Sequence, residues 1–282
     1  IFLSLFAITN FSFKDPQEGN LMATVIQPAY LIDDLKTGKI TKNEKVETYL
    51  DLIYKAPEGL IVLPEGAYNS EFETSYDREY FYLGANLKKG PILLGTYGKL
   101  GDKSTNAVVV VENVPKMPKK MPAYHKNHLV PFGEYLPFRD YLPSFLEQLL
   151  SISAKYDFAG GKTMQPVNTS VGDIGILICF ESIFPHMAKT LVNNGATILV
   201  NASNLGWFHN SIIDKQFIAI CVLRAVENNR YFIVSINNGS SVIISPKGKI
   251  ITSTKKNQKA FISAKIKPVT SFTFFTRWKN YE

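Results

Sequence analysis

The sequence predicts a single α/β domain built in layers, on three observations. From Leu21 onward, short β-branched runs alternate with stretches of helical period, the rhythm of strands and helices packed in layers. No internal repeat or linker-like segment divides the 282 residues. Hydrophobic residues make up 45% of the chain and charged ones 20%, which supplies a large core and excludes a disordered chain.

LMATVIQP (21–28) reads as the first strand, and residues 40–56 carry Val46, Tyr49, Leu50 and Ile53 at helical spacing. The second strand, LIVLPEG (60–66), ends abruptly in Pro-Glu-Gly. PILLGTYG (91–98) and NAVVVVEN (106–113) are two further strands across a Gly/Lys/Asp loop. Five prolines in 114–140 remove ladder and helix donors, so that stretch is extended or looped. A short amphipathic helix is expected at 142–152. In the second half, VGDIGILICF (171–180) reads as a buried strand and 185–194 as a helix closed by Asn194-Gly195. A strand at 196–203, a helix at 214–230 and a strand at 231–238 follow. Residues 240–254 form a hairpin around Pro246-Lys247-Gly248.

The charge balance, 31 Lys+Arg against 24 Asp+Glu for a net +7, suits an anionic surface but identifies none. The basic residues are spread along the chain, with small clusters at Lys116, Lys119 and Lys120 and at Lys255, Lys256 and Lys259, so nucleic acid is not an expected partner. Two cysteines cannot form a disulfide framework for this length, which leaves each thiol free for another role. Both ends are apolar. IFLSLFAI at 1–8 is too short to span a membrane, although it suits the end of a spanning helix; a buried segment or a signal-peptide remnant are the alternatives. Phe272, Phe274, Phe275, Trp278 and Tyr281, beside Arg277 and Lys279, have the composition of a membrane-interface belt or, equally, of core packing.

Three polar residues stand at or near the ends of apolar runs: Glu65, Lys126 and Cys179. Strand ends in α/β folds present reactive groups, because the sheet fixes the backbone while the next loop exposes the side chain. The set is coherent as chemistry. A thiolate is a strong nucleophile, a carboxylate can take its proton, and a lysine with the N–H of Phe180 can hold the oxyanion of a tetrahedral intermediate. Each residue also has a plainer reading. A cysteine ending an apolar strand is more often core, as Cys221 within FIAICVLRA is expected to be. Glu65 could favour a helix start, and a lone lysine is usually solvated. His125, His128, His186 and His209 form no metal-ligand spacing, and there is neither a GxGxxG nor a P-loop.

The wider strings LPEGAY, YHKNHLVPFGEYLPFRDYLP, GDIGILICFESIFP, NASNLGWF and RAVENNRYFIVSINNG resemble the nitrilase superfamily. Within it they are similar to the apolipoprotein N-acyltransferase branch, to which the HLVPFGEYLPFRD block is specific. The resemblance runs from about Leu21 to Tyr281 and implies a four-layer α-β-β-α sandwich, with Glu65 as general base, Lys126 as oxyanion-stabilising lysine and Cys179 as nucleophile. It also implies that Glu134 orients Lys126 and that Glu181 is a second supporting carboxylate. A structural ion pair is the alternative for both. His128 is expected to stabilise its loop by a hydrogen bond rather than to react.

The resemblance implies transfer of an acyl chain from phospholipid through a Cys179 thioester to the N-terminal amine of a diacylated apolipoprotein, at the periplasmic face of the bacterial inner membrane, with no cofactor or metal. It divides the chain into the end of a membrane helix (1–20), a catalytic domain (21–270) and the start of a C-terminal anchor (271–282), as in a domain separated from its membrane helices. Such a chain by itself could be soluble. A soluble nitrilase-type amidase acting on a small amide or nitrile, and an inactive remnant, are the rival readings. Three departures bear on substrate positioning: Phe180 where the branch has Tyr, Leu205-Gly206 before Trp207, and Lys215 and Phe217 where Pro and His are usual.

Overall fold

A computed structural model describes residues 19–72, 77–112, 114–116, 118–138, 141, 143, 157–208 and 212–278. The run at 1–8, the helix expected at 142–152 (apart from Pro143), His209, Lys279 and Tyr281 lie outside these residues.

Two sheets stack face to face, each with helices on its outer side. The first is assembled from β1 (Leu21–Gln27), β2 (Leu60–Val62), β3 (Tyr68–Glu71), β4 (Ile92–Leu100), β5 (Lys103–Val111), β6 (Ala123–His125) and the late strand β13 (Ala260–Ile266), in the order β13-β1-β2-β4-β5-β6 with β3 beside β4. The second contains β7 (Val167–Thr169), β8 (Gly172–Ile178), β9 (Ile198–Ser203), β10 (Phe232–Ile236), β11 (Val242–Ile244) and β12 (Ile250–Ser253), in the order β12-β11-β10-β9-β8-β7. Val25, Val62, Leu93 and Val108 of the first sheet meet Ile176, Val200 and Ile233 of the second in a fully apolar central layer.

The strands read as nearly continuous apolar runs because most are buried on both faces. The outer face of the first sheet is covered by α2 (Lys42–Lys55) and α3 (Arg78–Lys88), through Val46, Tyr49, Ile53, Phe81 and Ala85. That of the second is covered by α4 (Pro185–Asn193) and α5 (Ile213–Asn228), through Met187, Leu191, Phe217 and Cys221. The architecture is the four-layer α-β-β-α sandwich.

Local chemistry sets the helix ends. In α2 the Thr41 hydroxyl accepts from the Glu44 N–H at 3.2 Å while Glu44 accepts from the Thr41 N–H at 2.7 Å, a reciprocal cap. Pro185 begins α4, where its missing N–H would have been unpaired anyway. Helix α5 ends at Asn228 rather than 230, because Asn229 turns left-handed at φ 50° and closes it. The sequence reading had not marked α1 (Ile32–Lys36), β3, α3, β7, β13 or α6 (Phe274–Arg277).

At the C-terminal end the aromatic residues divide. Phe274 and Trp278 are exposed, whereas the Phe275 ring lies 5.3 Å beneath the Lys189 ammonium, and Thr273 and Thr276 are buried. Fully buried Arg230 holds this segment by donating to Ser271 O at 2.6 Å and to Ala196 O at 2.7 Å. Among the described residues no helix is long and apolar enough to cross a membrane.

Candidate active site

Glu65 leaves the first sheet just beyond β2. Pro64 stops the strand and Gly66, at φ 63°, turns the chain, so the carboxylate stands clear of the ladder. This path requires a glycine in the neighbouring strand: a Cβ at Gly95 of β4 would lie 2.2 Å from Pro64 O and 2.8 Å from Glu65 Cα. Lys126 follows β6. Its N–H donates to Asn106 O at 2.8 Å and its carbonyl accepts from the Gly161 N–H at 2.7 Å, so its backbone is held from both sides.

The Lys126 side chain is 1% exposed and ends between two carboxylates, with Nζ 2.8 Å from Glu134 Oε1 and 3.6 Å from Glu65 Oε1. Asn106 of β5 joins the same pair by donating from Nδ2 to Glu65 Oε1 at 2.7 Å and to Glu134 Oε1 at 2.9 Å. Glu134 Oε2 accepts from the Val130 N–H at 2.9 Å, and Glu65 Oε2 from the Asn204 N–H at 3.0 Å. Burial opposes the charge on Lys126, but the surrounding Glu65, Cys179 and Glu134 outweigh it and hold the ammonium above the ordinary lysine range.

Cys179 lies where β8 ends and a short 3₁₀ turn, Cys179–Ile183, begins. Its φ is 49°, a left-handed conformation that costs a non-glycine residue about 1–2 kcal/mol and persists only where the surroundings impose it. Cys179 as a residue is partly exposed while Ile174–Ile178 before it are buried, but its thiol is desolvated. Desolvation and the Glu65 charge push it up to about 12, against the pull of Lys126 and the Asn204 N–H. Desolvation and the carboxylate both favour the neutral thiol over the thiolate. Cys221 is fully buried in α5, as expected of core.

Glu181 links the two sides. Fully buried, it accepts from the N–H groups of Asn127 and His128 at 2.7 and 3.0 Å on Oε1, and from the Ile178 N–H at 2.7 Å on Oε2. The Tyr124 hydroxyl is 3.1 Å from both oxygens. Burial raises this carboxyl to about 7, against the three backbone donors and Lys126. The His128 bond is made by its backbone N–H and leaves the loop, reaching Glu181, while its ring lies tilted against Phe184 at 4.0 Å. Phe180 packs edge-on to Phe184 at 5.2 Å.

The structure thus brings together Glu65, Lys126, Glu134, Glu181 and Cys179. It adds Asn106, Asn204 and Gly95, which the sequence reading missed. The signal for the two asparagines was a polar amide within or directly after a buried strand, a position that demands a partner. No group of acidic, histidine and cysteine side chains suited to a metal occurs among the described residues. A cavity of about 930 Å³ lies nearby, lined in part by Ala123, Tyr124, His125, Gly161 and Lys162. None of Glu65, Lys126 and Cys179 lines it, so the candidate groups lie outside it.

Comparison with known proteins gives a consistent assignment. Residues 44–271 match the family described as carbon-nitrogen hydrolase. The chain is 28% identical to an apolipoprotein N-acyltransferase of Synechocystis over 83% of its own length and 44% of the relative's. It is 37% identical to one of Geobacter metallireducens over 54% of its length and 29% of the relative's. It spans about half the length, or less, of these curated relatives. A CN-hydrolase superfamily protein of Xanthomonas campestris superposes with a TM-score of 0.66 at 15% identity, covering 90% of this chain and 91% of that one, a likeness of fold. The chain belongs to the carbon-nitrogen hydrolase family, and the curated relatives to which it is similar are apolipoprotein N-acyltransferases.

Proposed function

We propose that this domain transfers an acyl chain from phospholipid, through a thioester on Cys179, to the N-terminal amine of a diacylglyceryl-cysteine apolipoprotein. Glu65 takes the Cys179 proton as sulfur attacks the ester carbonyl, and the developing oxyanion meets Lys126 and the Phe180 N–H. The carbonyl re-forms, the C–O bond breaks, and the leaving alkoxide takes the proton from Glu65, giving a lysophospholipid and an acyl-enzyme. The apolipoprotein amine then attacks the thioester and passes a proton to Glu65. The C–S bond breaks, and the thiolate is reprotonated. Glu134 and Asn106 keep Lys126 and Glu65 in register, and no cofactor enters either step.

The observation that carries this reading is the segment that begins at the lysine and runs on past its carboxylate partner Glu134. Between Lys126 and Tyr141 it exposes Phe132, Phe138 and Tyr141, at 51%, 79% and 86%, next to a polar site whose charged groups are nearly enclosed. A lipid-borne substrate suits such a surface better than a small amide does. The names of the curated relatives support the same substrates. The setting we propose is the periplasmic face of the bacterial inner membrane, with residues 21–270 catalytic and the two ends directed to the bilayer.

Mass spectrometry after incubation with phospholipid vesicles tests the proposal. An acyl adduct on Cys179, discharged by a lipidated N-terminal cysteine peptide to give N-acyl peptide, is expected. No adduct, or an adduct that persists in Cys179→Ala, would falsify the thioester route. An adduct discharged by water and not by the peptide would identify a hydrolase instead.

A further inference from the structure

We propose that Asn201 is a positioning residue for this reaction, fixing the peptide group between Cys179 and Phe180 so that the nucleophile and the oxyanion-binding N–H after it are aimed together. The inference rests on Cys179 being the nucleophile. Asn201 occupies the middle of β9, fully buried, between Val200 and Ala202, where an aliphatic side chain would satisfy the layer. A buried amide at such a position is costly unless all of it is paired. Its Nδ2 donates to Cys179 O at 3.2 Å and to Ser182 Oγ at 2.7 Å, and its Oδ1 accepts from Ser203 Oγ at 2.5 Å. The Cys179 carbonyl can only accept, so it is Nδ2 that must face it, which leaves Oδ1 to the Ser203 hydroxyl.

The consequence follows from peptide geometry. The described chain contains no cis peptide bond, and in a planar trans peptide the carbonyl of one residue and the N–H of the next point in opposite directions. A donor fixed on Cys179 O therefore sets the direction of the Phe180 N–H. On the preceding side the Ile178 N–H is held by Glu181. Cys179 alone stands between these anchors in the left-handed region, so the bond to its carbonyl is what keeps that conformation from relaxing. A relaxed turn would swing the thiol away from Lys126 and the Phe180 N–H away from the developing oxyanion.

Asn201→Ala and Asn201→Asp in the full chain test this; the aspartate keeps the shape and the acceptor but loses the donor. The first readout needs no substrate: the rate at which iodoacetamide alkylates Cys179, followed by peptide mass spectrometry, with fully buried Cys221 reporting any unfolding. The expected result is Cys179 alkylation at least fivefold slower in both variants while Cys221 stays unmodified. The second readout is acylation by a p-nitrophenyl ester, where the rate constant should fall about 100-fold, as for loss of one oxyanion donor, with KM changed less than about threefold. Parental alkylation in Asn201→Asp, or slowing that only tracks exposure of Cys221, would overturn the proposal. A Cys179→Ala chain that still forms acyl adducts would instead remove the reading on which it rests, and the alkylation comparison keeps the two failures apart.

Discussion

The two halves of the candidate site are held by opposite means. Cys179 comes from the second sheet, at the end of one of three parallel strands, and its position is set by backbone: an apolar strand, a left-handed residue and anchors on the peptide groups either side. Glu65, Lys126 and Glu134 come from loops of the first sheet, and their positions are set by one another. One buried ammonium and one asparagine amide bridge both carboxylates. The difference teaches where the site is fragile. A network of charges in a poorly solvated space depends on every member, because removing one leaves the others buried and unpaired. A strand end held by packing and by anchors on its own peptide groups depends less on the charges of the other half.

Lys126→Met is the harshest test of that contrast. The substitution keeps the length of the side chain and removes the charge, leaving Glu65 and Glu134 facing each other across Asn106. Acylation by a phospholipid or ester donor should fall by about 1,000-fold or more, since both the proposed oxyanion partner and the alignment of Glu65 are lost. The charge that pulls the Cys179 proton affinity down is also lost, so alkylation of Cys179 should slow as well, and thermal unfolding should shift by the equivalent of about 3–5 kcal/mol. Stopped-flow acylation and calorimetry on the same preparation measure all three. Retained acylation with only a stability loss would mean that the lysine is structural.

Asn106 sharpens the comparison with a smaller change. Asn106→Ala removes the donor shared by the two carboxylates and should lower the acylation rate about 10- to 100-fold with little change in KM. Asn106→Asp, although nearly the same shape, should be worse, because it sets a third carboxylate beside two that already share one ammonium. If the aspartate variant is the more active of the two, the charge-network account of this half fails.

This asymmetry also explains what the sequence made legible. The strands of the central layer announce themselves as apolar runs, and Glu65 and Cys179 are visible because each ends such a run in a residue type with chemistry of its own. Helix α3 was missed because Gly84 interrupts REYFYLGANLK and weakens its helical signal. Strand β13 was missed because it is an edge strand, paired on one side by β1 and only partly buried, and Ser263 and Lys265 break its apolar run. Asn106 and Asn201 were missed for a different reason: an amide inside NAVVVV or ILVNAS looks like a flaw in a strand until its partner, far away in the chain, is known. Gly95 is the same case in the backbone, since the need for it arises only when Glu65 crosses β4.

Glu181 offers the mildest test, and it falls on a side chain that touches both halves. Its carboxyl titrates at about 7 in the fold against 4.5 when free, so the folded state favours the protonated form. The stabilisation it brings is complete below pH 4.5 and is lost as pH rises through 7, at no more than about 1.4 kcal/mol per pH unit. Glu181→Gln cannot titrate, and its amide must turn an NH₂ toward either Ile178 or the Asn127 and His128 pair, forfeiting a bond worth about 1–3 kcal/mol. The variant should therefore be clearly less stable than the parent at pH 4.5, with the gap narrowing toward pH 7. Urea unfolding across that range measures it. Because Glu181 ties the Lys126 loop to the residue before Cys179, hydrogen exchange at Asn127, His128 and Ile178 should speed up together in the variant. Parallel stability curves, or faster exchange on one side only, would mean that the two halves are anchored independently.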